Sequence, residues 1–307
     1  MIRVGLIGAR GYVGRELIGE LDCDPAFELA YASSRALAGR RLRDTDGLSS
    51  LSRFGDLEVR DLSPAEAARE DVDVVVLGLP NGLAAPYVEA LGKAPLIVDL
   101  SADYRHREGW VYGSPELNGK AVRGASRIAN PGCYATAANL AIAGLLPAAG
   151  GPISVFGISG YSGAGTTPSP KNDPEVLRDN ILPYGFGGHG HEREIAAATG
   201  RDIIFAPHVA SFFRGLIVTV TAPLTEPMSN QQLLSLAEER FRPYPNVRVQ
   251  AELPQLKDAA GTDLCIIGGL AVSPDGRSVT VSSVLDNLRK GAATQALKNI
   301  RLALGRS

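Results

Sequence analysis

The stretch Asn130-Pro131-Gly132-Cys133-Tyr134-Ala135-Thr136-Ala137 places a single cysteine where an alanine- and leucine-rich segment begins. Residues 134–146 read as a helix, so the cysteine stands at its mouth. There, unbonded N–H groups and the positive end of the helix dipole favour a thiolate, the form of cysteine that attacks carbonyl carbon. Asn130 and nearby backbone N–H groups are placed to steady an oxyanion. Taken alone, a lone cysteine is more often a small buried apolar residue. Cys23 and Cys265, in ordinary helix-end and strand contexts, are assigned that role. A nucleophilic thiol needs an acid or base partner. Gly188-His189-Gly190-His191-Glu192-Arg193-Glu194-Ile195 offers two imidazoles at the entry of a further helical stretch,. His208, in Ala206-Pro207-His208-Val209, is a third candidate, with a packed strand-end histidine as the equal alternative. A metal site on His189 and His191 lacks a third ligand, and none is expected.

A second group of residues suits a dinucleotide. Gly8-Ala9-Arg10-Gly11-Tyr12-Val13-Gly14 follows a strand and opens a helix, a context in which small residues let a pyrophosphate approach the backbone,. Its spacing is GxxGxxG in place of the usual GxGxxG. The next strand ends Tyr31-Ala32-Ser33-Ser34-Arg35, without the acid that holds an NAD ribose,. Two hydroxyls and a guanidinium suit a 2′-phosphate, so NADP is the expected cofactor. Pro80 and Asn81 of Leu79-Pro80-Asn81-Gly82 lie after another strand, where a cofactor contact and a simple turn fit equally well. Ser101 and Arg105 of Leu100-Ser101-Ala102-Asp103-Tyr104-Arg105 are placed to hold phosphate, and Arg214 of Phe212-Phe213-Arg214-Gly215 suits a substrate carboxylate. An ordinary ion pair is the plainer alternative for each arginine. A nucleophilic thiol beside a dinucleotide site points to a thioester that exchanges hydride with nicotinamide.

The elements that must position these groups fall into two sets. Strands at 2–7, 27–32, 72–77 and 95–100, with a weak one at 57–60, alternate with helices at 14–21, 65–69 and 84–91, which predicts right-handed crossovers and a parallel sheet,. After Pro131 come the helix at 134–146, a strand at 153–159 and a long polar loop at 160–190. Strands at 203–205, 216–224, 247–250, 264–272 and 278–285 follow, with a helix at 230–241. Few helices separate those strands, so the second sheet should be mostly antiparallel. Residues 287–304 form an amphipathic helical stretch.

The chain has 307 residues, enough for about two domains of ordinary size,. Its net charge of −2 argues against a nucleic-acid partner,. Three scattered cysteines without a CxxC suggest neither a disulfide framework nor a zinc site,. The N-terminus lacks the apolar run of a secretory signal, and no stretch reaches the ~18 apolar residues of a membrane helix, so a soluble cytoplasmic protein is expected. The 35 glycines cluster around the motifs above, which favours an enzyme with several functional loops,.

In order along the chain, GARGYVG, YASSR, IVDLSADYR, YGSPELN, NPGCYATA, GISGYSGAG, GHGHEREI, APHVASFFRG and DNLRKGAATQALKN resemble the N-acetyl-γ-glutamyl-phosphate reductases of arginine biosynthesis, relatives of aspartate-semialdehyde dehydrogenase. The resemblance covers nearly the whole chain. It implies a Rossmann-type α/β domain that binds NADPH/NADP, residues 1–132 together with 287–307. It implies also an α+β catalytic and oligomerisation domain, residues 133–286, in a homodimer or homotetramer. By the same resemblance Cys133 is the nucleophile and the histidine pair is the acid/base, His191 being favoured over His189. Arg105 would hold phosphate. Ser159, Gly160, Ser162 and Gly163 would line the nicotinamide and acyl site, with Asn287 of the last motif beside the cofactor. Family members commonly have a basic residue between the histidines and a proline soon after; here Gly190 and Glu192-Arg193 stand instead. The implied substrate is a small acyl phosphate. The alternatives are a sister reductase of aspartyl phosphate or carrier-bound aminoadipyl phosphate, and a non-catalytic NADP sensor.

Overall fold

Strand β1 (Ile2–Ile7) leads through the glycine turn into helix α1 (Tyr12–Cys23), and β2 (Phe27–Ser33), α2 (Pro64–Ala67), β3 (Val74–Leu77), α3 (Ala85–Leu91), β4 (Leu96–Asp99), β5 (Val111–Tyr112), α4 (Pro115–Val122) and β6 (Arg127–Ala129) follow. This is a computed structural model, and it describes residues 1–306; Ser307, the last residue of the expected N-terminal domain, lies outside the described residues. The chain separates into two units, Met1–Pro131 with the segment from Ala292 on, and Gly132–Gly291.

In the first unit the six strands run in the order β2-β1-β3-β4-β6-β5, and every pairing is parallel. The β-branched run of β3 is wholly buried, as strands covered on both faces must be,. The strand order reverses between β1 and β3, and the turns at their carboxyl ends meet there. Gly8 has φ +107°, and a Cβ on it would lie 2.1 Å from the Gly78 carbonyl oxygen, so no other residue fits,. The expected strand at 57–60 is reduced to isolated bridges, Ser33 with Arg60 and Arg41 with Glu58. Polar Glu58 and Arg60 flank one buried residue, Val59, and that is too little apolar surface to seat a strand. Elements α4, β5 and β6 were not anticipated, although Ser114-Pro115-Glu116 is a helix-start pattern,.

The second unit is built around α5 (Cys133–Leu145), followed by β7 (Ile153–Gly160), α6 (Pro174–Leu177), β8 (Ile181–Pro183), α7 (Gly190–Thr199), β9 (Ile203–Ala210), β10 (Leu216–Pro223), α8 (Asn230–Phe241), β11 (Val247–Val249), α9 (Leu256–Ala259), β12 (Cys265–Val272) and β13 (Ser278–Leu285). Its sheet runs β11-β12-β13-β10-β7-β9-β8. The β7–β9 and β11–β12 pairs are parallel and the rest antiparallel, so the sheet is mixed with antiparallel pairs in the majority. Helix α5 is apolar on all sides and buried beyond its first residue, the mark of a central helix,. Along β10, Leu216, Val218, Val220 and Ala222 are buried while Thr219 and Thr221 alternate on the other face,. The segment 160–190 is less loop than expected: it carries 3₁₀ turns at Tyr161–Ala164 and Pro170–Asn172 besides α6 and β8.

The final helix, α10 (Thr294–Ala303), starts later than the expected 287–304 stretch and follows a π turn at Arg289–Ala293. The Asp286 carboxylate accepts from the amides of Leu288 and Arg289, which holds the backbone out of a regular helix there,. Ala296, Leu297, Ile300 and Ala303 recur at helical spacing and enter the core of the first unit,. Lys298 pairs with buried Glu116 at 2.9 Å, and the Gln295 and Asn299 amides donate to the Gly113 carbonyl.

Candidate active site

Helix α5 opens at Gly132, with Cys133 as its first residue and half-buried. The turn before the cysteine is held on both sides. The Gly132 amide donates to Glu194 Oε1 at 2.8 Å, and the Gly132 carbonyl accepts from the Thr136 amide and hydroxyl. Glu194 is a buried carboxylate on α7, so the histidine helix and the cysteine helix are tied through one side chain. Gly291 closes on the same place: a Cβ there would lie 2.8 Å from Cys133 Cβ.

An aromatic cluster gathers around Tyr134, the residue after the thiol. Tyr134 stands edge-on to His191 at 5.9 Å and to Phe205 at 5.3 Å. Its hydroxyl donates to the His208 carbonyl at 2.5 Å and is hydrogen-bonded to Tyr184. Burial drives the Tyr134 phenol far above its ordinary range. Tyr184 is raised by burial and then by the charge of Cys133 nearby, so both phenols stay protonated as donors,. Neither tyrosine was singled out from the sequence. The position of Tyr134 beside the nucleophile and of Tyr184 five residues before His189 was the only signal.

The two histidines differ in their duties. His189 is the N-cap of α7, and its Nδ1 accepts from the His191 amide at 3.1 Å. That bond places the ring proton on Nε2. Burial first, and the Lys171 cation second, lower the His189 pKa from its usual 6.5. The His191 ring lies in the first turn of the helix, 4.8 Å from that of His189. His208 is not brought into this cluster. By the alternation of β9, Phe205 faces α5 while His208 lies on the opposite face, its ring 4.5 Å from Phe156 and 5.8 Å from Phe186,.

A second knot in the same unit gathers three motifs. The amides of Gly160, Tyr161 and Ser162 donate to the carbonyls of Gly215, Phe212 and Phe213. Asn287 Oδ1 accepts from the Gly215 amide at 2.6 Å and its Nδ2 donates to Ser162 Oγ at 2.9 Å. Asn287, Ser159 and Ser162 are all buried, and Ser159 Oγ lies against the Gly160 carbonyl. A Cβ on Gly163 would come within 2.9 Å of Ser159 Oγ, so this turn is shaped by close packing. Arg214 Nη1 lies 3.5 Å from Asp286, whose fully buried carboxylate also accepts from Gly261 at 2.7 Å. Asp286 anchors this arginine, and its residue type alone carries no signal of that role.

In the first unit, α1 has Gly11 at its N-cap and no side-chain cap, leaving its opening turn to backbone amides,. A Cβ on Gly14 would lie 2.4 Å from the Gly8 carbonyl oxygen, so Gly8, Gly11 and Gly14 make a cradle that side chains would fill. Val13 and Tyr12 begin the helix, and Arg10 is exposed, its carbonyl accepting from Arg15. Ser33 is buried, its hydroxyl accepting from the Leu62 amide at 3.1 Å, and its carbonyl takes the Gly8 and Ala9 amides. Ser34 and Arg35 open a 3₁₀ turn, and Arg35 is exposed with no ion pair among the described residues. The cradle and the exposed guanidinium after β2 fit a dinucleotide with an anionic ribose.

Past β3, exposed Pro80 and Asn81 belong to a turn stitched to the next loop. Asn81 Oδ1 accepts from the Ala102 amide, and the Gly82 amide donates to Asp103. Ser101 is buried, donates its hydroxyl proton to Asp99 at 2.7 Å and accepts from the Asp103 amide. Arg105 donates to the carbonyls of Asn130 and Leu100. Asn130 is buried, its amide donating to Ala292 O and its Oδ1 accepting from Asn299. No helix among the described residues is long and apolar enough to cross a membrane.

The chain matches two family models, the NAD-binding domain of semialdehyde dehydrogenase over residues 3–125 and the dimerisation domain of semialdehyde dehydrogenase over residues 133–287. It is 45% identical to the N-acetyl-γ-glutamyl-phosphate reductase of Xanthomonas euvesicatoria, covering 98% of this chain and 95% of that protein. It is 46% identical to the mitochondrial protein arg-6 of Neurospora crassa over 99% of this chain, and spans 35% of the length of that longer protein. Aspartate semialdehyde dehydrogenase II of Vibrio cholerae has the same fold, with a TM-score of 0.77 at 19% identity and 98% of both chains covered. The enzyme of Candida albicans solved with NADP gives 0.75 at 17%, again over 98% of each. With identity of this extent along both halves, the chain belongs to the semialdehyde dehydrogenase family and, within it, to the N-acetyl-γ-glutamyl-phosphate reductases.

Proposed function

We propose that the protein carries out the NADPH-dependent reductive dephosphorylation of N-acetyl-γ-L-glutamyl phosphate to the 5-semialdehyde. The observation that carries this reading is Cys133 at the mouth of α5, clamped through Gly132 to the helix that bears His191. Cys133 attacks the γ-carbonyl carbon, and phosphate departs with the electron pair of the C–O bond, leaving a thioester. Arg105 holds the phosphate, with Ser101 fixing the turn that carries it. The Asp286-anchored Arg214 takes the substrate carboxylate, and Ser159 belongs to the acyl turn. When bound, NADPH supplies the hydride that reduces the thioester. His191 gives a proton to the oxygen as negative charge develops there, and takes it back as the C–S bond breaks. His189 is a weaker candidate for that role because its Nδ1 is committed to capping α7. Cofactor would be held by Gly8, Arg10, Gly11, Tyr12, Val13, Ser33, Ser34, Arg35, Pro80 and Asn81, with Ser162, Gly163 and Asn287 beside the nicotinamide.

The test is the reverse reaction. With phosphate and NADP, N-acetylglutamate semialdehyde should be oxidised far faster than aspartate or aminoadipate semialdehyde. A faster rate with either rival would replace the substrate, and no turnover with any of them would favour a sensor. Arg35→Ala should raise the KM for NADPH about tenfold or more, the worth of one charged hydrogen bond to phosphate, while the KM for NADH changes little. Equal changes for the two cofactors would remove the 2′-phosphate contact.

Assembly as a homodimer, or a tetramer built from it, is part of this proposal. Phe156 and Ile204 are 44% and 61% exposed on the outer sheet face of the unit that matches a dimerisation domain,. Phe156→Glu should leave a monomer in sedimentation, and an unchanged mass would place the interface elsewhere. A cytoplasmic location belongs to the same proposal, since the chemistry requires a reduced thiol.

A further inference from the structure

Lys171 has no role in the reaction as written above, yet it stands at the wall of the cysteine–histidine cluster. It lies in the 3₁₀ turn Pro170–Asn172, which is locked by the Ser169–Asn172 capping box and by bonds from the Asn172 amide to Gly165 O and Thr167 O at 2.8 Å. Its Nζ is 4.9 Å from the centre of the Tyr184 ring, and that ring meets His189 edge-on at 5.5 Å. The side chain is half-buried, and among the described residues no carboxylate pairs with it. A cation drawn partly out of water without a counter-ion is incompletely compensated. The nearby acids of α7 are engaged with backbone, Glu192 accepting from the Phe205 amide and Glu194 from that of Gly132. On the same wall, His189 has its Nδ1 occupied, so its Nε2–H is a donor with no acceptor among the described residues.

We propose that Lys171 and the Nε2–H of His189 are further donors, beyond Arg105, for the phosphoryl group of the substrate, which is the inorganic phosphate of the reverse reaction. The inference rests on the acyl-phosphate reading above. An ammonium point charge with one added N–H donor suits the several oxygens of a dianionic phosphoryl group. A planar carboxylate is better met by a forked guanidinium such as Arg214. The locked turn keeps the ammonium in place before substrate arrives, so little ordering is needed on binding.

The reverse reaction reads this directly. In Lys171→Met, which keeps the stem over Tyr184, the KM for phosphate should rise about tenfold or more, the worth of one charged hydrogen bond. The KM values for semialdehyde and NADP should stay within about twofold, and Lys171→Arg should restore most of the phosphate affinity. An unchanged KM for phosphate overturns the proposal. So does a rise confined to the semialdehyde, which would move the cation to the carboxylate. A second measurement needs no turnover. Inorganic phosphate should slow iodoacetamide alkylation of Cys133 in the wild type and not in K171M, and equal protection in both overturns the seat. Lysine-dependent protection in a protein that turns over none of the semialdehydes would keep the seat and remove the acyl-phosphate reading.

Discussion

Cys133→Ser should lower the phosphate-dependent reduction of NADP by N-acetylglutamate semialdehyde by a factor of ~10⁴ or more, with the fold intact. A serine hydroxyl fills less space than the thiol, so the tight approach of Gly291 is not worsened and the Gly132 clamp is untouched. The thermal midpoint should therefore move by no more than a degree or two. What is lost is the nucleophile. A hydroxyl does not ionise near neutral pH, and a helix mouth and a buried tyrosine pair cannot close so large a gap. An ester, if formed, would also accept hydride less readily than a thioester. Retained turnover in C133S would sink the thioester mechanism outright, whichever substrate is used.

His191→Asn is expected to cost ~10²–10⁴ in kcat, the usual worth of one positioned proton donor, with the KM for NADPH unchanged. His189→Asn should cost much less, because asparagine is a good N-cap and can hold the start of α7 in place of the ring,. Equal losses in the two variants would overturn the division of labour between the histidines. The pair also differ in what pH does to stability. His189 is pressed below its usual pKa of 6.5, by burial and then by Lys171, so the native protein keeps the ring neutral. As pH falls below about 6.5 the unfolded chain takes up that proton first, and stability declines until the native ring also titrates. In H189N that part of the decline should be missing from urea titrations at successive pH values. A steeper decline would mean that the ring is charged in the native state.

Much of the first unit was legible because parallel strands buried on both faces announce themselves as unbroken β-branched runs, as in Val74–Leu77,. The elements that escaped, β5, α4 and β6, are short, and α4 packs on α10, which arrives from the other end of the chain. The weak strand at 57–60 failed for the converse reason, since local alternation is not enough where only Val59 is fully buried. At the site, Cys133 and the GHGH pair stood out by residue type and by their place at helix entries. Nothing local distinguished Lys171 or Tyr184 from the rest of a polar loop. Their meaning comes from a turn that brings Nζ over a ring, which is a three-dimensional fact.

The sequence by itself marked Cys133 as the candidate nucleophile, the histidine pair as the candidate acid and base, the glycines of the first turn as a candidate phosphate cradle, and the order of two sheet types, because each depends on residue chemistry and on spacings of a few positions. Tertiary structure decided which histidine is committed to capping a helix, since that rests on one bond from the His191 amide to His189 Nδ1. It sent His208 to the far face of the sheet through the two-residue period of β9, and turned Asn287 into a brace between two turns. It also set the Glu194 carboxylate on the amide before Cys133, across 62 residues of chain. Such long-range pairings are selected by packing and by the need to satisfy buried polar groups, and neither leaves a local trace in the order of residues.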